Sequence, residues 1–218
     1  KGLRMGGVAQ EAPASQTSLL DVVLAANTER AALLAEAETS KDPMRVAEIE
    51  MRLADIGAHA APARAAAILA GLGFGADDIH RPCADFSGGW RMRVALAAVL
   101  FSEPDLLLLD EPTNYLDLEG ALWLEDYLEH YPHTVLLISH DRDLLNRSVD
   151  AILHLENGKL KLYTGGFDRF QQQRAMQLDL LRAAKTKQDA QAKHLQAFVD
   201  RFKAKASKAK QAQSRVKA

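Results

Sequence analysis

The sequence contains two short apolar runs of the kind that form central strands of a parallel β-sheet. The first is Asp105-Leu-Leu-Leu-Leu-Asp110, and the second spans Thr134 to Ser139. Strands buried on both faces have continuous apolar sequences, whereas half-exposed strands alternate apolar and polar residues. A helical segment from about Leu118 to His130 separates the two runs. This strand-helix-strand order predicts an α/β fold whose sheet is at least partly parallel.

Each apolar run leads into residues that can do chemistry. Asp110 and Glu111 end the first run, and His140 follows the second. Ligands of open α/β sheets bind at the carboxyl ends of the strands, so we expect these side chains to border a ligand site. Taken alone, an Asp-Glu pair would more often be a solvated helix cap, and a His after a strand would more often be structural. The four preceding leucines and the following Pro-Thr-Asn disfavour the cap interpretation.

A second candidate site is the segment Ser87-Gly88-Gly89, which begins a helix with an apolar pattern. The free backbone amides and the dipole at a helix N-terminus favour anions, and glycine permits close approach of a phosphate. Trp90 follows directly and has packing as its simplest role. The sequence therefore predicts an anion-binding turn at this point.

These motifs together resemble the distal half of an ABC-type ATPase cassette. Phe86-Ser-Gly-Gly-Trp-Arg-Met-Arg, Asp105-Leu-Leu-Leu-Leu-Asp-Glu-Pro-Thr-Asn-Tyr-Leu-Asp117 and Ile138-Ser-His-Asp141 occur in the order and at the spacing of that family. The form Glu-Pro-Thr-Asn-x-Leu-Asp and the C-terminal region are similar to the ABC-F branch of soluble translation factors. The resemblance implies a protein that binds and hydrolyses ATP with Mg²⁺ and acts on the ribosome.

The resemblance also implies roles for individual residues. Asp110 would be the Walker B carboxylate that holds Mg²⁺, usually through water, and Glu111 would be the general base for the attacking water. His140 would be the switch histidine that bridges the γ-phosphate and that water. Gln10 aligns with the Q-loop glutamine that reaches Mg²⁺, although a surface residue is its simpler interpretation.

Ser87, Gly88 and Gly89 would form the signature that binds the nucleotide held by a different cassette. A second ABC cassette in the same full-length chain is therefore an expected partner. Asp117 matches the D-loop aspartate that would couple the two composite sites. It is also a good N-cap for the helix that follows, and the two roles are compatible.

The phosphate-binding loop of such cassettes, Gly-x-x-x-x-Gly-Lys-[Ser/Thr], does not occur in this sequence. The only Gly-Lys pair is Gly158-Lys159, and Leu160 follows it. We interpret the chain as a fragment of a longer protein. Because no residue replaces the amides and lysine of the loop, we expect the chain alone to be inactive as an ATPase.

The hydrophobic pattern divides the chain into segments. Helical periodicity covers Ser15 to Glu38, Pro43 to His59 and Pro62 to Leu72, and Asn157-Gly158 predicts a two-residue turn in a β-hairpin. We therefore predict a partial ABC-type P-loop ATPase cassette with four parts: the end of the core with the Q-loop (1–14), a helical insert (15–80), the core with signature, Walker B, D-loop, switch His and hairpin (81–166), and a basic helical linker (167–218).

The linker concentrates positive charge. Eleven Lys or Arg and two Asp or Glu lie between residues 182 and 218, whereas the first 181 residues hold sixteen basic and twenty-seven acidic side chains. A basic helix after an acidic domain favours a polyanion partner. The segment also resembles the inter-cassette linker of ABC-F proteins, which implies contact with tRNA and rRNA through the residues Arg201, Lys203, Lys205, Lys208, Lys210, Arg215 and Lys217.

Composition limits the class of protein. No apolar run approaches the roughly 20 residues of a membrane helix, and the lone Cys83 excludes an internal disulfide, so we expect a soluble, cytoplasmic protein without a membrane partner. Two alternatives stay open. The chain could be the ATP-binding subunit of an ABC transporter, although Trp90 stands where many transporter cassettes carry Gln. It could instead be a non-catalytic RNA-binding module, which the missing phosphate loop favours.

Overall fold

The structure is a computed structural model that describes residues 2–8 and 14–216. The chain divides into two compact units, residues 1–149 and residues 150–218. The first unit contains strands and helices in the order β1 Met5–Gly7, α1 Leu19–Ala25, α2 Thr28–Thr39, α3 Pro43–Asp55, α4 Ala61–Gly71, α5 Gly88–Ser102, β2 Leu106–Asp110, α6 Leu118–Glu129, β3 Thr134–Ile138 and α7 Arg142–Arg147. The second contains β4 Ala151–Glu156, β5 Lys159–Thr164 and α8 Phe167–Val216.

The first unit is built on a three-stranded parallel sheet in the order β1-β2-β3. Leu107 and Leu109 of β2 are buried on the face that packs against the helices, whereas Leu108 points to the other face and is partly exposed. The core on the packed side includes Leu100 and Phe101 of α5 and Leu124 of α6, all fully buried. The α/β class and the parallel pairing of the two apolar runs are therefore confirmed. The expected burial of both strands on both faces is wrong for the described residues, because Leu108 is 37% and Leu136 is 47% exposed.

The region between β1 and α5 is helical, as its periodicity predicts, but its first helix is interrupted. The predicted helix from Ser15 to Glu38 is two helices, α1 and α2, because the Asn27 side chain caps α2 by accepting a hydrogen bond from the amide of Arg30 at 3.0 Å. Helices α2 and α3 have a small core of their own around Ile49 and Leu53. The insert thus combines a layer on the main core with a separate helical hairpin.

In the second unit, β4 and β5 form the predicted hairpin across Asn157-Gly158. Both turn residues have positive φ angles, 50° and 72°, which is the conformation that an Asn-Gly pair tolerates best. Tyr163 of the hairpin packs edge-on against Phe170 of α8, and both are buried. The hairpin therefore belongs to the same compact unit as the long helix, whereas we predicted it as part of the ATPase core.

Candidate functional site

The candidate site lies at the carboxyl ends of β2 and β3. Asp110 is the last residue of β2 and is in register with Ile138, the last residue of β3. The next residue, Glu111, leaves the strand with a left-handed backbone at φ 47° and ψ 53°, and its amide donates to the carbonyl of Ile138 at 2.8 Å. A non-glycine residue in this conformation costs about 1–2 kcal/mol. Such strain is concentrated at functional sites, where it aims a side chain in a particular direction.

Glu111 and His140 are in contact. The backbone amide of His140 donates to Oε2 of Glu111 at 3.3 Å, and the ring atom Nε2 lies 3.4 Å from Oε1. The Glu111 side chain is 21% exposed, whereas the His140 side chain is 98% exposed. Although Oε1 is itself buried and close to the ring, it receives no hydrogen bond of acceptable geometry. One carboxylate oxygen is thus held by the backbone of His140, and the other lies against its ring.

Asp110 supplies a carboxylate that could hold a magnesium ion together with phosphate. Asp110 is exposed at the strand end, beside the partly buried Glu111. Within residues 2–8 and 14–216, no three His, Cys, Asp or Glu side chains form a complete metal cage. Mg²⁺ usually binds through one or two carboxylates together with substrate phosphates and water. Gln10, predicted to reach the same ion, lies outside the described residues.

The Ser87-Gly88-Gly89 turn begins α5, as its sequence predicts. Ser87 is the N-cap residue, but its hydroxyl makes no capping hydrogen bond and the side chain is exposed. No heavy atom lies within 4 Å of where a Cβ would stand on Gly88, and the nearest to Gly89 is Cδ1 of Tyr115 at 3.9 Å. The space beside the Cα atoms of both glycines is therefore open, which would permit the close approach of an anion to this helix N-terminus.

Asp117 caps helix α6, as its position before that helix indicates. Its Oδ1 accepts from the amide of Gly120 at 2.9 Å, and its Oδ2 lies 3.0 Å from Nη1 of Arg93. The Gly120 amide, followed by the Arg93 guanidinium, lowers the pKa of the Asp117 carboxyl below its usual value. Asp117 is therefore ionised at neutral pH and connects the start of α6 with α5.

Arg93 is a residue of this region that the sequence patterns did not single out. It is only 9% exposed, and besides Asp117 it donates to the carbonyl oxygens of Tyr115 at 2.6 Å and Leu72 at 3.0 Å. Its guanidinium carbon lies 4.2 Å from the ring centre of Trp90. The available signal was an arginine directly before the apolar stretch Val94 to Phe101 of α5, because buried arginines are rare unless paired.

The predicted RNA-binding residues lie on the second unit. Arg201, Lys203 and Lys205 are exposed on α8. Lys208, Lys210 and Arg215 also belong to this helix, and Lys217 lies outside the described residues. None of the helices that the structure describes is both long enough and apolar enough to cross a membrane.

Comparisons with known proteins agree with these motifs. A family model described as ABC transporter matches residues 11–114, and a second with the same description matches residues 153–218. The probable ATP-binding protein YheS of Escherichia coli K12 is 46% identical over 217 residues, which are 98% of this chain and 34% of that protein. ABC transporter F family member 3 of Arabidopsis thaliana is 43% identical over 236 residues, with 97% of this chain and 33% of that protein covered.

The chain thus spans about a third of the length of these relatives. A solved structure of the ATP-binding subunit of an ABC transporter supports the fold, with a TM-score of 0.54 at 18% identity over 83% of this chain and 68% of that one. Sequence motifs, fold and relatives all indicate the same assignment. The chain is an ATP-binding cassette sequence and belongs to the ABC-F family.

Proposed function

We propose that Glu111 and its neighbours activate water for ATP hydrolysis in an ABC-F protein that acts on the ribosome during translation. The observation that carries the proposal is the state of the Glu111 carboxylate. Its Oε2 accepts a hydrogen bond from the backbone amide of His140, and its Oε1 lies 3.4 Å from the ring atom Nε2 of the same residue. A carboxylate that the backbone holds beside an imidazole, at the carboxyl ends of the strands, can orient a water molecule and take its proton.

The proposed chemistry divides among three side chains. Glu111 accepts the proton of the water whose oxygen attacks the γ-phosphorus, as the bond from that phosphorus to the ADP oxygen breaks. His140, whose Nε2 lies 3.4 Å from Oε1, orients the same water through its exposed ring. Asp110 would hold Mg²⁺, which neutralises negative charge on the phosphates. Gln10 is proposed as a further ligand on the resemblance alone.

The remaining parts of an ATPase site come from elsewhere in the proposed full-length protein. The sequence contains no Gly-x-x-x-x-Gly-Lys-[Ser/Thr] loop to hold the β- and γ-phosphates, so we propose that the 218-residue chain alone is inactive. The open N-terminal turn of α5 supports a composite site, in which Ser87, Gly88 and Gly89 bind the nucleotide of a second cassette. The greater length of the relatives leaves room for both.

Replacing the proposed base tests this function. In the full-length protein, Glu111→Gln should lower the ATP turnover rate by roughly 10²- to 10⁴-fold, the usual contribution of a general base, while ATP remains bound. Glu119→Gln is the matched control because Glu119 is exposed on the first turn of α6 and should not alter turnover. Normal turnover in Glu111→Gln would refute the assignment of the base.

We propose that the long helix α8 binds ribosomal RNA or tRNA. The support is its charge, since Arg201, Lys203 and Lys205 are exposed on a helix that continues through more basic residues. Phosphate contacts of this kind depend on salt, and log K changes with log[salt] by about 0.7–0.9 per neutralised phosphate. The proposal includes a cytoplasmic location, where ribosomes are found.

A salt titration of ribosome binding tests the RNA proposal. Replacing Arg201, Lys203 and Lys205 by Gln should reduce the salt slope by about 2 to 3, as expected for three lost phosphate contacts. Replacing Lys185, Lys187 and Lys193 removes the same charge from an earlier part of α8 and should leave the slope unchanged. Equal slopes for the two triple variants would contradict a specific role for the later segment.

One alternative is a non-catalytic RNA-binding module, which the exposed basic residues of α8 support. That hypothesis predicts RNA binding without any effect of Glu111→Gln, because no nucleotide would be hydrolysed. The same pair of experiments therefore separates it from the ATPase proposal. Retention on membranes at high salt, together with no ribosome binding at low salt, would instead favour a transporter subunit.

A further inference from the structure

Arg93 joins helix α5 to two segments that are distant from it in the sequence, the end of α4 and the turn between β2 and α6. Its guanidinium donates to Leu72 at the end of α4, to Tyr115 in the turn after β2, and to Asp117 at the start of α6. These acceptors lie 21, 22 and 24 residues from Arg93 along the chain. The residue itself belongs to α5, two turns or less from the anion-binding Ser87-Gly88-Gly89 segment.

The contacts involve Nε, Nη1 and the planar face of the Arg93 guanidinium. Nε binds one carbonyl, Nη1 binds a second carbonyl and a carboxylate, and the planar group stacks on Trp90 at 4.2 Å. A lysine has a single donor head and could not reproduce the fork or the stacking. The Arg93 side chain is 10% exposed, so its partners, rather than water, must satisfy its charge.

One of the contacts reaches the segment that carries the proposed base. Pro112 to Tyr115 form a 3₁₀ turn directly after Glu111, and the amide of Asn114 donates to the carbonyl of Glu111 at 3.2 Å. Arg93 holds the carbonyl of Tyr115, the last residue of this turn. The backbone that sets the strained conformation of Glu111 is therefore anchored at its far end by a residue of the signature helix.

The contact with α4 is equally close. Gly73 has a φ of 97°, and a Cβ built on it would lie 2.8 Å from Nη1 of Arg93. The chain at the end of α4 thus packs against the Arg93 guanidinium, and position 73 has no room for a side chain. Movement of either α4 or the first turns of α5 would disturb the same group of hydrogen bonds.

We propose that Arg93 is a positioning residue that couples the signature turn of α5 and the end of the helical insert to the Glu111 segment. This inference rests on the proposed ATPase function. Arg93 does not touch the reacting atoms. It keeps Tyr115 and Asp117 in place, and thereby sets where the Glu111 carboxylate lies when the signature turn is engaged by an anion.

The test compares Arg93→Met with Arg64→Met in the full-length protein. Arg64 is a matched control, since it donates to the carbonyl of Phe101, stacks on that ring at 4.6 Å and pairs with Glu103, away from the site. Arg93→Met should lower kcat at least tenfold with the KM for ATP within threefold of wild type. Arg64→Met should lose stability but keep its kcat.

A second measurement needs no nucleotide. Amide hydrogen exchange of Leu116 and Gly120, which donate to Thr113 and Asp117, should become at least tenfold faster in Arg93→Met and stay unchanged in Arg64→Met. If Arg93→Met does not fold, Arg93→Lys keeps the charge without the fork and should show the same changes at smaller size.

The outcomes are distinguishable. A kcat of Arg93→Met within twofold of wild type, or unchanged exchange of Leu116 and Gly120, would overturn the proposal. If the wild type and Glu111→Gln turn over ATP equally, the proposed function fails instead. The exchange measurement still decides, independently of that failure, whether Arg93 holds the turn after Glu111.

Discussion

Gly71 is the last residue of α4, and the indole of Trp123 on α6 packs directly on it. A Cβ added at this position would overlap the Trp123 ring atoms, well inside van der Waals contact. The ring has little freedom to retreat, because it also packs against Tyr127 with ring centres 5.1 Å apart. We therefore predict that Gly71→Ala destabilises the protein, although alanine is the better helix former.

Two opposing effects determine how much Gly71→Ala changes the free energy of unfolding. Alanine in place of glycine stabilises a helix by about 0.5–1 kcal/mol. Forcing an extra methyl group into a packed contact costs about 1–3 kcal/mol, and the overlap with the ring places this site towards the upper end. The net expectation is a loss of about 1–2 kcal/mol in the free energy of unfolding. In a domain of this size each kcal/mol corresponds to roughly 2–4 °C in Tm.

Urea denaturation of four proteins measures the effect: wild type, Gly71→Ala, Trp123→Ala and the double variant. With the indole removed, only the helix preference remains, so Gly71→Ala should then stabilise by about 0.5–1 kcal/mol. The change of sign between the two backgrounds is the critical result. Equal effects of Gly71→Ala in both backgrounds would show that the close approach of Trp123 does not determine stability.

Two further predictions concern Asp117 and the hairpin turn. The amide of Gly120 and the guanidinium of Arg93 lower the pKa of Asp117, so its stabilising contribution is present above the unfolded pKa of about 4 and is lost as the pH falls through the folded pKa. Between about pH 5 and pH 2, Tm should therefore fall more steeply in wild type than in Asp117→Asn, and parallel curves would contradict this assignment. Gly158, at a φ of 72°, should not accept a β-branched residue, so Gly158→Val should cost about 1–2 kcal/mol, whereas Lys159→Val on the adjacent exposed strand position should change stability by less than about 0.5 kcal/mol.

Local sequence patterns were sufficient to predict several elements of this fold. The leucine run of β2 predicts a strand of a parallel sheet, although not its exposed face, and the Asn157-Gly158 pair predicts the hairpin. The pattern also predicts that Glu111 and His140 lie together, since the ends of adjacent parallel strands meet at one edge of the sheet.

The hydrophobic pattern does not determine other features. The interruption between α1 and α2 depends on whether the Asn27 side chain caps a helix or faces solvent, and either is compatible with the periodicity. Packing decides that the hairpin groups with α8, through the buried pair Tyr163 and Phe170. Neither arrangement follows from composition or hydrophobic period.

By itself, the sequence determined which residues of this protein can do chemistry and at which strand or helix ends they stand. Tertiary structure decided how those ends are held together. Arg93 stands out in the sequence as a charged residue beside an apolar stretch, but its partners Leu72, Tyr115 and Asp117 reach it only after α4, α5 and α6 have packed. A buried guanidinium needs several acceptors at once, and only the assembled fold brings these acceptors to the same point.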